Sequence, residues 1–176
     1  MREVILYIAM SLDGYIADAN GGVDWLDGHG EPEEGMDSYS RLLQRIDTVV
    51  MGWNTYRQVT TQLSPDRWVY EELHTYVITH RSLPAAPGVT FTTEDPCALI
   101  RRLRREEGKS VWICGGGSIV QPLVRKDWID EYHLSIIPIL LGSGIRLFGA
   151  LADQRKLRLV QTQTSGGIAE LIYRRR

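Results

Sequence analysis

Three short stretches combine residue types and spacings that could do chemistry. Gly115-Gly116-Gly117-Ser118 follows a run of apolar β-formers and opens an apolar, helix-periodic segment. Glycines let a backbone approach a ligand closely. A helix N-terminus also offers unpaired N–H groups and the positive end of its dipole to an anion such as a diphosphate. The same residues suit a plain strand-to-helix turn. The stretch matches neither G-x-G-x-x-G, because position 120 is Val, nor a P-loop ending in Lys-Ser/Thr. Val49 to Tyr56 (VVMGWNTY) repeats the theme. Gly52 ends a strand, and Thr55 stands at the start of a short helix that it can cap, at the carboxyl end where open α/β sheets bind ligands. An ordinary capped helix accounts for this stretch as well. The third, Met10 to Asp18 (MSLDGYIAD), runs from a strand into a turn at Asp13-Gly14. Each is weak alone, but three at the carboxyl ends of strands in one chain point together to a phosphate-bearing ligand.

The other reactive residue types are sparse. Cys97 and Cys114 read as reduced thiols. His29, His74, His80 and His133 are scattered, without the spacing that a zinc site needs, so no metal is predicted.

The elements that must position these stretches follow from periodicity. Val4 to Ala9 (VILYIA) is continuously apolar and rich in β-branched and aromatic residues, which predicts a strand buried on both faces, as in a parallel sheet. Ser11 to Gly35 turns to Gly, Asp and Asn and predicts a long loop of the kind that serves as a lid or binding loop. Tyr39, Leu42, Leu43 and Ile46 at helical spacing, with Asp37 or Ser38 as cap, predict a helix from Asp37 to Arg45. Further strands are expected at Thr48 to Met51, Tyr76 to Thr79, Val89 to Thr92, Val111 to Cys114 and Tyr132 to Ile137. A helix starting at Asp95-Pro96, with Ala98, Leu99, Ile100 and Leu103 inward, should end near Gly108, and another spans Ser118 to Arg125. Leu157 to Thr164 and Ile168 to Tyr173 alternate around Ser165-Gly166-Gly167, which predicts a terminal antiparallel hairpin. The β/α alternation describes one α/β domain over residues 1–176.

Composition narrows the partners. Of 176 residues, 43% are hydrophobic and 24% charged, as in one globular domain. A net charge of -2 leaves no positive excess for a nucleic-acid backbone. The longest apolar run, Ile136 to Leu141, is broken by Pro138 and falls far short of the roughly 20 residues that cross a bilayer. MREVILYIAM has no signal-peptide pattern, so the cytoplasm is expected. Arg101, Arg102, Arg104 and Arg105, beside Glu106 and Glu107, predict a solvated face, as does the Arg174-Arg175-Arg176 tail. Tyr132 and His133 are expected in the core or an interface, with contact to a ligand as an alternative role for His133.

In order, AMSLDGYIA (Ala9 to Ala17), VDWL (Val23 to Leu26), DTVVMGWNTY (Asp47 to Tyr56), ICGGGSIVQPLV (Ile113 to Val124) and DEYHLSIIPILLGSGIRLF (Asp130 to Phe148) resemble the dihydrofolate reductase superfamily. The resemblance is closer to the reductase domain of the riboflavin-biosynthesis bifunctional deaminase-reductase, to which PILLGSG followed by LF is particularly similar. It implies a dihydrofolate reductase-like three-layer α/β fold, with a mostly parallel central sheet and a C-terminal antiparallel hairpin. It also implies an NADPH-dependent reductase that passes a hydride to a pyrimidine or pteridine-like heterocycle. Dihydrofolate reduction, or a non-catalytic nucleotide-binding role on the same fold, are the alternatives.

The resemblance further assigns residues. Ala9 would present its backbone to the nicotinamide amide, and Gly52, Trp53 and Thr55 would meet the adenine-side phosphates. Gly115, Gly116, Gly117, Ser118 and Ile119 would line the diphosphate and nicotinamide. Thr79 and Arg81 fall where the family gathers adenosine 2′-phosphate contacts. The family usually writes M-G-Arg, whereas this chain has Trp53, and Arg81 could substitute for that arginine. Asp13, Trp25 and Tyr56 would face the substrate, Trp25 doubling as a loop anchor. Asp37 is the candidate catalytic acid, one residue beyond Met36, where the folate carboxylate would fall. A cis peptide between Gly115 and Gly116, a homodimer paired through the sixth strand and its LLGSG extension, and no deaminase domain complete the expectations.

Overall fold

The computed structural model describes residues 1–27 and 38–176. Strand β1 (Val4–Ser11) lies inside an eight-stranded sheet. Its alternate residues split between two cores, Val4 and Leu6 to one face and Ile5 to the other, all fully buried. That is why its sequence is apolar without a break. It pairs in parallel with β6 (Ser110–Gly115) and β7 (Glu131–Ile137). Beyond β6 the sheet continues in parallel through β3 (Ile46–Gly52), β4 (His74–Ile78) and β5 (Val89–Thr92). Beyond β7 the chain's last two strands, β9 (Leu157–Ser165) and β10 (Ile168–Arg175), add antiparallel, with β9 at the edge.

Helices cover both faces. On one, α3 (Pro96–Leu103) and α4 (Gly117–Arg125) set Leu99, Ile100, Leu103, Ile119, Val120 and Leu123 against Leu6, Val50 and Ile113. On the other, α1 (Ser38–Arg45) places Leu42 against Ile5, Val49, Met51 and Trp112. Asp95 caps α3 by accepting from the N–H groups of Cys97 and Ala98 at 2.9 and 3.1 Å, with Pro96 at the first helical position. This is the three-layer α/β arrangement that the sequence implies.

Several local expectations are corrected. The supposed loop after Ser11 contains β2 (Tyr15–Ala17), paired with β8 (Ile145–Arg146) in a second small sheet, and a 3-10 turn at Asp24–Leu26. Helix α3 stops at Leu103 rather than near Gly108, and its Ala98 is exposed. Helix α2 (Trp53–Gln58) begins immediately after Gly52, so Thr55 sits inside its first turn and does not cap it; a π-helical turn, Val59–Leu63, follows. The arginines predicted to be solvated are partly committed. Arg104 reaches Asp130 and the Trp128 carbonyl, Arg175 reaches Asp130, and Arg174 reaches Glu3 and Glu131.

Candidate functional site

Parallel pairing brings the two glycine turns side by side, because Met51 of β3 is in register with Gly115 of β6. Each strand runs directly into a helix, α2 after Gly52 and α4 after Gly116. The peptide between Gly115 and Gly116 is cis. Gly115 has φ +126°, a conformation that L side chains rarely adopt, and a Cβ there would stand 3.2 Å from the Ile8 side chain. Gly116 differs. Among the described residues, a Cβ on it would meet only Ile16 Cδ1 and Thr55 Oγ1, both at 3.9 Å. The Thr55 hydroxyl therefore points at the glycines across the gap, although it does not cap its helix.

These turns form the floor of a cleft of about 1150 Å³ along the carboxyl ends of β4, β3 and β6. The cleft brings together Gly52, Trp53, Thr55, Thr79, Arg81, Gly116, Gly117, Ser118 and Ile119 of the residues expected from the sequence. At the β4 end the Arg81 guanidinium lies 5.3 Å from the centroid of the Trp53 ring, and the Arg81 N–H donates to Thr79 Oγ1 at 3.1 Å. An arginine stacked in this way keeps its planar N–H edge available for a phosphate.

The facing wall is the segment after β1. Asp18 Oδ1 accepts from the N–H groups of Asn20 and Gly22 at 2.7 and 2.8 Å and so folds a tight turn. Gln58 Nε2 ties that turn to the far side by donating to the Gly21 carbonyl at 3.3 Å. Asp18, Asn20, Gly22, Asp24, Gln58 and Gln62 line the cleft; Asp18 closes the third stretch picked out from the sequence, and the others carried no site expectation. Gln58 and Gln62, four apart, share a helical face, which was the one available signal.

Other expected residues lie elsewhere. Trp25 Nε1 donates to the Gly22 carbonyl at 3.2 Å, which makes Trp25 an anchor of the turn. Tyr56 is stacked behind α2 among Trp53, Trp68 and Phe91. Asp13 accepts from Ser11 Oγ at 2.6 Å and from the N–H groups of Leu141 and Gly142 at 3.1 and 2.7 Å. The Ser11 hydroxyl above all, with those two backbone donors, holds the Asp13 carboxyl down at about 2. Its oxygens join the loop after β1 to the one after β7. Ala9 pairs with Ser135 on the β7 side of β1, and neither Ala9 nor Gly115 is among the residues that line the cleft. Asp37 and Met36 lie outside the described residues. Cys114, just before the glycines, has its thiol pushed up to about 12 by burial, against a smaller lowering by Tyr70, so it stays protonated at neutral pH.

A mostly parallel sheet with an antiparallel C-terminal hairpin and a glycine-floored cleft across its strand ends defines a reductase-type domain of the dihydrofolate reductase-like fold. The chain belongs to the family described as the RibD C-terminal domain, whose pattern matches residues 2–169. It is 41% identical over 179 residues to the uncharacterized protein YwjB of Bacillus subtilis (strain 168), covering 98% of this chain and 97% of that one. A putative riboflavin biosynthesis protein from Shewanella sp. PV-4 superposes with a TM-score of 0.84 at 30% identity, over 99% of both chains. The deaminase/5-amino-6-(5-phosphoribosylamino)uracil reductase of Thermotoga maritima shares the fold, with a TM-score of 0.70 at 18% identity. There the match covers 99% of this chain and 57% of the longer one.

Proposed function

We propose that the protein is an NADPH-dependent oxidoreductase of the riboflavin-biosynthesis type, acting on a pyrimidine or pteridine-like ring. One observation carries this reading: the two glycine turns and the Thr79–Arg81 turn open into a single cleft, with the Arg81–Trp53 stack at its far end. From β1 across β6 and β3 to β4 is three strand spacings, roughly 14 Å, so an extended dinucleotide can run from Ala9 to Arg81. The residues fit such a group. Gly52 and Gly116 put no side chain into its path, Thr55 Oγ1 offers a hydroxyl, and the N-terminus of α4 offers N–H groups to a diphosphate. When bound, the dinucleotide supplies the hydride, while the chain orients the two reactants and excludes water.

Arg81 stands in for the arginine that Trp53 replaces, and its guanidinium grips the 2′-phosphate. Arg81→Ala should weaken NADPH binding about tenfold to a hundredfold, the worth of a charged hydrogen bond, and leave NADH binding unchanged. Titration of nicotinamide fluorescence reads both. Equal weakening of the two dinucleotides, or none, would put the 2′-phosphate elsewhere. NADPH oxidation assayed with the ribosylaminopyrimidine of riboflavin synthesis and with dihydrofolate separates the substrate classes. Turnover of the first alone supports this reading, and turnover of neither despite tight NADPH binding would leave the substrate unassigned and favour the non-catalytic reading.

The homodimer is proposed with a revised contact. β7 lies between β1 and β10 and has no free edge, so it cannot pair subunits strand to strand. The sheet ends on β9, where Leu159 and Val160 are each 51% exposed, and an exposed edge of this kind is a pairing template. Sedimentation should return a two-chain particle. A 20.0 kDa species at all working concentrations would refute the pairing.

A further inference from the structure

A row of polar side chains crosses the sheet beside Ala9, on the face covered by α1. Ala9 of β1 is in register with Ser135 of β7, Ser135 with Glu170 of β10, and Glu170 with Gln163 of β9. Residues in register project to the same face. That this is the α1 face follows from Glu170 itself, whose Oε1 accepts from Ser38 Oγ, the first residue of α1, at 2.8 Å. Ser38 Oγ is in turn 3.0 Å from the Tyr7 hydroxyl, and Gln163 Nε2 donates to Glu170 Oε2. All four residues of the row are half-exposed, whereas Ile5, Glu131 and His133 on the same face are buried. Next to Ser135 along β7, His133 is 9% exposed and its Nδ1 has no hydrogen-bond partner among the described residues.

The same face packs Leu42, Val49 and Met51 under α1, whereas the row beside Ala9 keeps a carboxylate that is partly open to solvent. Among the described residues both Glu170 oxygens accept from neutral donors, which fixes their direction, and a carboxylate oxygen has a second acceptor site beyond the one each donor fills. A carboxylate only accepts hydrogen bonds, so its ligand must bring donors.

We propose that Glu170 is the specificity-determining residue of the substrate side and selects a planar heterocycle whose ring edge carries exocyclic amino donors. This rests on the reading above, in which the nicotinamide reaches Ala9. Glu170 is two strand spacings from Ala9, roughly 10 Å, which a fused or substituted ring lying over Ser135 can bridge with one end at the nicotinamide and its amino edge at the carboxylate.

Calorimetric titration of the full chain with 2,4-diaminopyrimidine and with uracil, at saturating NADPH and without it, tests the assignment. The wild-type protein should bind the diamino ring at least about tenfold more tightly than the dioxo ring. Glu170→Gln, which keeps the side chain's shape, should weaken the diamino ring by about tenfold to a hundredfold, with uracil and NADPH affinities unchanged. Equal wild-type affinity for the two rings overturns the proposal, and that comparison needs no variant to fold. Full diaminopyrimidine affinity in a folded Glu170→Gln protein overturns it too. Failure of the wild type to bind NADPH sinks the reductase reading instead, and the cofactor-free titration still reports on Glu170.

Discussion

Gly116→Val abolishes NADPH binding in a protein that still folds: that is the expected result of placing bulk on the cleft floor. The backbone at Gly116, φ −86° and ψ −159°, is one that L residues adopt freely. Its Cβ position clears the nearest heavy atoms, Ile16 Cδ1 and Thr55 Oγ1, by 3.9 Å. The fold therefore accepts the first carbon, and the two γ-methyls project into the space between α2 and the β2 wall. Replacing an N-cap glycine by Val costs stability of about 1 kcal/mol. The ligand loses much more. Pushing a diphosphate off the α4 N-terminus removes at least two charge-assisted hydrogen bonds of about 1.5–3 kcal/mol each, so Kd should rise by at least about a hundredfold.

Gly117→Ala is the contrasting variant. Its Cβ would stand 2.9 Å from the Arg146 carbonyl oxygen, a backbone atom of β8, so the penalty falls on the fold. Thermal unfolding together with nicotinamide fluorescence distinguishes the two behaviours. A folded Gly116→Val protein with unchanged NADPH affinity would leave Gly115 to Ser118 as an ordinary strand-to-helix turn.

The difference between these neighbouring glycines also marks how far the sequence could be read. The triple glycine, the buried β1 and the terminal hairpin were legible because each is encoded locally, in a turn composition or an unbroken apolar run. The β2–β8 pair was not. Three residues and two residues show no periodicity, and what brings them together is long-range: Asp13 ties Leu141 and Gly142 to the loop after β1, the Tyr15 hydroxyl donates to the Gly142 carbonyl, and the Leu147 N–H donates to the Gly14 carbonyl. The Trp53–Arg81 stack was half legible. Each residue was noticed, but their contact depends on the parallel register of β3 and β4, in which Gly52 is level with Ile78. Glu170 was invisible, since a lone glutamate in an alternating hairpin reads as solvent-facing. Only the order β7-β10-β9 puts it opposite Ser135 and under α1. The terminal arginines misled for the same reason: composition suggests a solvated tail, whereas β10 carries Arg174 back to Glu131.

That last pairing predicts the largest change in stability. Glu131, 3% exposed at the start of β7, accepts from Arg45 Nη1 at the end of α1 and from Arg174 Nε on β10, both at 2.6 Å, and also pairs with His133 Nε2. Helix α1 and the last strand are thus joined through one buried carboxylate. Removing one partner of a buried pair costs about 3–5 kcal/mol, because the other charge is left uncompensated. Here the arginine side chains are 38% and 36% exposed, so water offsets part of that cost, and Glu131→Ala should fall near the lower end, about 3 kcal/mol.

Burial alone would raise the Glu131 carboxyl. The hydrogen bonds from His133, Arg45 and Arg174 outweigh it and hold the group well below its ordinary 4.5. A depressed folded-state value stabilises the fold above the unfolded value, and that stability is lost as pH falls toward the folded one. The gap between wild type and Glu131→Gln, read from urea midpoints, should therefore be constant from about pH 8 down to about pH 5 and shrink below about pH 4.5. A gap that stays constant down to about pH 3 would mean that Glu131 contributes through packing rather than charge. A Glu131→Ala protein as stable as the wild type would remove this carboxylate as the joint between α1 and β10.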